Sequence, residues 1–125
     1  MKLSLLPSIL FTATGLAEFV RVPLPEPLDW VASKELNSRH VCKDLHAPYS
    51  QYNAETWADR VLGVCNSTLC GCTSTLSYSE LVHWGIERPY WVGRMFTGAS
   101  TTALDYDRKH GIEDSIAYTS TSWEE

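Results

Sequence analysis

Apolar and polar residues follow several distinct patterns along this chain, and each pattern predicts a different kind of element. From Leu3 to Leu16 the sequence is apolar, broken only by Ser4, Pro7, Ser8, Thr12, Thr14 and Gly15. Lys2 precedes this run, and Gly15 and Ala17 place small residues where a signal peptidase inspects the chain. The pattern predicts a signal peptide over residues 1–17, cleaved after Ala17. The run is shorter than the about 20 apolar residues needed to cross a bilayer, so no membrane attachment is expected after cleavage. In residues 18–29 the pattern changes: Pro23, Pro25 and Pro27 alternate with Leu24, Glu26 and Leu28. Proline fixes φ and lacks an N–H, so this segment reads as an extended, proline-rich arm.

Residues 30–125 carry the periodicities of one packed domain. Trp57 and Val61 share a helical face with Leu62 beside them, Asn53 is a good N-cap, and Glu55 complements the helix N-terminus. This predicts a helix over 54–62, stopped by Gly63. A second helix is expected over 78–84, from the Ser77-x-x-Glu80 capping box and the apolar Leu81, Val82 and Trp84, with Gly85 and Pro89 ending it. Tyr90–Phe96 is aromatic and branched, which predicts a strand with Gly93 as a possible bulge. Residues 102–109 are ambiguous, with a short helix as one reading. Residues 116–123 alternate weakly, and their Thr and aromatic content predicts a last strand. The expected fold is a small disulfide-stapled α+β domain, two short helices packed on an antiparallel sheet.

Composition narrows the range of partners. The chain has 10 Lys+Arg against 15 Asp+Glu, a formal net charge of −5 at pH 7, and loss of Lys2 would make it more negative. Such a protein gains nothing from phosphate neutralisation, so nucleic acid is not an expected partner. Removing the leader leaves roughly 110 residues, enough for one domain, expected as a monomer.

All four cysteines, Cys42, Cys65, Cys70 and Cys72, follow the leader, and in an exported chain an even count predicts disulfides. A Cys70–Cys72 bridge across Gly71 alone would be strained. Two pairings remain: Cys42–Cys70 with Cys65–Cys72, or Cys42–Cys72 with Cys65–Cys70. His40, Cys42 and His46 could instead join the later cysteines around zinc, but no Cys-x-x-Cys pair exists. No metal or cofactor is expected.

Candidate chemistry is sparse. Asn66-Ser67-Thr68 is an N-glycosylation acceptor between cysteines. His40, Asp44 and His46 form the densest titratable group, and two imidazoles with a carboxylate could supply general acid, general base and orienting group. No nucleophile motif accompanies them. Asp105 with Asp107, and Glu113 with Asp114, read as solvated surface. Trp84, Arg88, Tyr90 and Trp91 cluster in sequence, and such side chains are frequent anchors of binding surfaces.

Tyr118-Thr119-Ser120-Thr121-Ser122 resembles the aromatic–x–Ser–Thr–Ser strand of enterotoxin-type ADP-ribosyltransferases. That likeness implies a nicotinamide pocket with Arg94 as its NAD-contacting arginine. The interval from Arg94 to Ser120 is shorter than that fold uses. Size, acidity and two disulfides also resemble the small secreted fungal ribonucleases. Their Tyr-x-His strand, Glu, Arg and late His-Thr-Gly do not appear here in order. Over its whole length, the chain resembles the small secreted cysteine-containing proteins of filamentous fungi described as effectors. That resemblance implies a non-enzymatic binding protein, secreted and working outside its producer cell or inside a host cell, whose partner is a host protein or glycan. A secreted enzyme or toxin is the alternative.

Overall fold

The computed structural model describes residues 18–81 and 89–121. Its strands are β1 (Phe19–Arg21), β2 (Trp30–Ala32), β3 (His40–Pro48), β4 (Ser74–Leu81), β5 (Pro89–Phe96), β6 (Tyr106–Arg108) and β7 (Ile112–Ser120). Its helices are α1 (Lys34–Asn37) and α2 (Ala54–Ser67), with short 3-10 turns at Tyr49–Gln51 and Ala103–Asp105. A five-stranded antiparallel sheet has the order β1-β7-β4-β5-β3, and β2 pairs with β6 in a small second sheet. Among the described residues, two helices, antiparallel sheets and two disulfides make this a small stapled α+β domain.

The main sheet separates two apolar cores. On one face Leu76, Tyr78, Val92, Phe96, Ile112 and Ala117 pack with Val22, Ala32, Leu36 and Tyr106. On the other, Trp57, Val61 and Cys65 of α2 pack on Trp91 and Met95. Helix α2 begins as expected, with the Asn53 side chain accepting from the Thr56 amide at 2.8 Å. It does not stop at Gly63 but continues to Ser67. Cys65 lies one turn beyond Val61 on the buried stripe, and burying it outweighs the cost of a helical glycine, about 1 kcal/mol.

The helix expected over 78–84 is a strand as far as Leu81; residues 82–84 lie outside the described residues. Strand β4 is central, and both its faces are covered. Leu76 and Tyr78 enter one core, while Ser77 and Ser79 alternate with them. A period of two therefore decides the element. The Ser-x-x-Glu signature is not a cap: Ser77 Oγ donates to the Ile116 carbonyl at 3.3 Å, and Glu80 accepts from the Tyr90 hydroxyl at 3.4 Å. The other helix is α1, whose N-cap Ser33 accepts from the Leu36 amide at 3.1 Å.

Gly93 is not in a bulge. It pairs with Ser77 on one side and Leu45 on the other. A Cβ there would overlap the Val61 side chain and meet Trp57 Cζ2 at 3.4 Å, so its role is the close approach of α2. The irregularities lie in its neighbours. Strand β3 shifts register between Val41 and Leu45, with Cys42 at φ 64°. Strand β7 shifts opposite Ser77 and Ser79, with Asp114 at φ 63°. The ambiguous 102–109 segment is a 3-10 turn, capped reciprocally by Thr102 and Asp105, followed by β6.

The disulfides are Cys42–Cys70 and Cys65–Cys72. Together they tie the end of α2 and the loop after it to the bulge in β3. The proline-rich arm is part of the domain: β1 forms a sheet edge, Val22 is buried in the first core, and the Val22 amide donates to the Ala117 carbonyl at 2.8 Å.

Candidate functional site

The structure brings together part of the titratable group expected from sequence. His40 lies opposite Phe96, and Arg94 follows on the same face of β5. His40 Nε2 is 2.7 Å from Asp44 Oδ1, while Arg94 Nε donates to that oxygen at 3.2 Å and Arg94 NH1 donates to Asn37 Oδ1 at 3.0 Å. The histidine contact has ion-pair distance, but its direction does not suit a ring N–H hydrogen bond, and Nε2 itself is shut off from solvent. It is an electrostatic contact only. His46 is not part of this cluster; it is exposed, with its ring 5.9 Å from that of Tyr90.

A general base must reach the proton it removes. Here the enclosed imidazole nitrogen faces Asp44, and Asp44 is already engaged by Arg94. The cluster braces α1, β3 and β5 across the bulge, which is a structural task. Arg94 and Asn37 were missed as members because a strand register, not sequence proximity, delivers them.

Of the four residues expected to bind a partner, Trp84 and Arg88 lie outside the described residues. Tyr90 is half-buried, with its hydroxyl toward Glu80. Trp91 is 1% exposed and belongs to the core under α2. Its indole N–H donates to the Tyr49 carbonyl at 3.0 Å, and the Tyr49 ring stacks on it at 4.9 Å. A surface role for Trp91 is thereby corrected: a domain this small needs the ring inside. Tyr49 is the partly exposed member of that stack, at 41%. The charge of Asp114 pushes the Tyr49 hydroxyl pKa up, with burial adding to it.

The Tyr118–Ser122 string enters the sheet as the end of β7, with Ser122 outside the described residues. Tyr118 pairs opposite Arg21, and its hydroxyl accepts from Arg21 NH2 at 2.9 Å. Arg94 is directed to Asp44 and Asn37, as above. Asn66 is exposed but sits in the last turn of α2, not in the loop after it. The cysteines weighed as zinc ligands are all consumed by disulfides. Among the described residues no group of three or more His, Cys, Asp or Glu is arranged to hold a metal.

Sequence reasoning missed a cleft of about 310 Å³ between the arm, the start of α2 and the bulge of β7. The arm leaves β7 at Ala117 through the Val22 amide and returns at Ser115, whose amide donates to the Leu28 carbonyl at 3.2 Å. The arm spans far more chain between these points than β7 does, so Pro23–Pro27 must bow outward. Three prolines without N–H groups cannot pair with the strand edge beneath them. The return is fixed by Ser115 Oγ, which donates to the Leu28 and Trp30 carbonyls, and by Arg108, which donates to the Pro27 carbonyl and Asp29. Arg108 also lies 4.1 Å from the Trp30 ring centroid.

At one rim Arg21 donates to Glu55 through both terminal nitrogens, at 3.2 and 2.6 Å. That pairing pulls the Glu55 pKa below the usual carboxylate range and pushes Arg21 up. The only sequence signal for the cleft was the alternation of prolines.

Comparison with protein-family models, with curated proteins and with solved structures returns no match. What the fold and site define is therefore a class: a small α+β domain stapled by two disulfides. The disulfides are compatible with an extracellular protein. Among the described residues no helix is long and apolar enough to cross a membrane.

Proposed function

We propose that this chain is a secreted, effector-like binding protein that acts on a host protein or glycan without catalysing a reaction. The observation that carries this reading is the pair of disulfides, Cys42–Cys70 and Cys65–Cys72, which consume all four cysteines. Oxidised sulfur of this kind persists in extracellular compartments and holds a small domain in shape there. The enclosure of His40 Nε2 beside Asp44 also favours occupancy over chemistry. Asn66 is exposed and, in this reading, is an acceptor for N-linked glycan.

The test is capture of host proteins, and a screen of immobilised glycans, with the oxidised chain recovered from a secreting cell. Because Trp91 is buried, the controls are Tyr90→Ala and His46→Ala, at neighbouring partly or fully exposed positions. A defined partner that survives washing supports the reading. The second reading, a secreted transferase or nuclease, is favoured by one observation, the 2.7 Å approach of His40 to Asp44 beside Arg94. Absence of any partner together with turnover of RNA or NAD, lost on His40→Ala, would replace the first reading with the second.

A further inference from the structure

The cleft beneath the proline-rich arm has a lining that selects its occupant. Its walls are apolar, from Val22, Pro23, Leu24, Leu28, Ala54 and Ile116, and its polar groups are Arg21, Glu26, Glu55, Asp114 and Ser115. Arg21 is committed to Glu55 in a two-pronged pair and is held from behind by the Tyr118 hydroxyl. The carboxylates of Glu26 and Asp114 therefore have no counter-charge from within the lining. Asp114 accepts from Ser79 Oγ at 2.9 Å, but a neutral hydroxyl contributes no charge.

We propose that this cleft receives an arginine side chain from a partner protein. The aliphatic stem would lie along the apolar walls and the guanidinium would meet Glu26 and Asp114. This deepens the binding reading above and rests on it. Three features favour this occupant. The uncompensated charge is negative, which selects a cation. The walls are apolar, which selects a cation with a hydrocarbon stem. At the rim Glu55 is already taken by the chain's own Arg21, which leaves Glu26 and Asp114 as the two carboxylates for an incoming planar donor. The volume is at the lower end of the range for small-molecule sites, about 300–1,000 Å³, which fits one long side chain and not a folded element.

The cleft is built before any partner arrives. Pro23, Pro25 and Pro27 stiffen the bow, and the bonds at Ala117, Ser115 and Arg108 fix both of its ends. An occupant therefore meets a formed site and does not have to order the arm, which lowers the cost of binding.

The experiment titrates Nα-acetyl-arginine N-methylamide into the oxidised full chain, followed by amide chemical shifts. The lysine and norleucine analogues serve as comparisons. Saturable shifts are expected at the amides of Val22, Ala54 and Ile116, with dissociation constants on the order of millimolar and weaker binding in high salt. The arginine analogue should bind more tightly than the lysine analogue, and norleucine most weakly. Asp114→Asn keeps a residue that tolerates positive φ, and Glu26→Gln changes an exposed side chain, so both variants should fold. Each should weaken arginine binding about threefold. Equal binding of norleucine, shifts located elsewhere, or no effect of either variant would overturn the proposal. If a partner is captured from the host but still binds the Glu26→Gln/Asp114→Asn protein undiminished, the arginine cleft fails while the binding function stands.

Discussion

Two glycines in this protein carry opposite demands. Gly93 sits where α2 presses on the sheet, and a methyl group there would collide with Val61. Gly63 is an exposed helical residue whose Cβ would meet nothing within 4 Å. Gly93→Ala should destabilise the domain by about 1–3 kcal/mol, the usual cost of overpacking. Gly63→Ala should stabilise it by about 0.5–1 kcal/mol, because alanine loses less backbone entropy on entering a helix. Paired denaturant titrations of the two variants give the answer directly. Equal effects of the same sign would show that α2 does not bear on β5 as described.

The Arg21–Glu55 pair has its own pH signature. The folded-state pKa of Glu55 is lowered, so its contribution to stability is present above the unfolded value, about 4.3, and disappears as pH falls through the folded value. Both side chains are largely exposed, so the contribution is small. The stability of the native chain should exceed that of Glu55→Gln near neutral pH, and the two curves should converge below about pH 4. A difference that persists unchanged into acid would contradict the pairing.

At the scale of elements, β5 and α2 form the unit on which the second core depends. Trp57 and Trp91 face each other across that contact at 6.4 Å, and Trp57 Nε1 donates to the Val92 carbonyl of β5 at 2.9 Å. Trp91→Ala should cost about 3–5 kcal/mol, enough to unfold a marginal domain, and thermal melting would reveal it. Any loss of partner binding by that variant would therefore report unfolding and not a lost contact.

The same scale explains why one helix was misplaced. Ser77-x-x-Glu80 is a valid N-terminal signature when the following residues pack on one side. In β4 they are covered on both sides, with Leu76 and Tyr78 facing one core and the serines alternating with them. Small hydroxyl side chains give no hydrophobic contrast, so the period of two was invisible until the neighbours β5 and β7 were in place. The true short helix, α1, had a signal in Ser33, a helix cap followed by Leu36, but a four-residue element has too little periodicity to read.

At the scale of the molecule, the disulfides divide the work unequally. Cys42–Cys70 spans 28 residues and Cys65–Cys72 spans 7. In the chain-entropy picture, losing the first costs about 3.6 kcal/mol and losing the second about 2.4 kcal/mol. The Cys42→Ser/Cys70→Ser protein should therefore melt at a lower temperature than the native chain even where its sheet is retained. No drop in the melting temperature would mean that the bridge constrains nothing the fold does not already hold.

By itself, the order of residues determined the start of α2 and its Asn53 cap, the strand over Tyr90–Phe96, the α+β class, and the limitation of cysteine pairing to two alternatives. These follow from interactions between near neighbours, or from counting. Tertiary structure alone chose between the two pairings, turned 74–81 into a central strand, buried Trp91, enclosed His40 Nε2 beside Asp44, and opened the cleft under the prolines. Each of those outcomes depends on which segments lie side by side in the sheet. That is a long-range property, settled by burial on both faces of β4 and by where the arm can and cannot hydrogen-bond to β7.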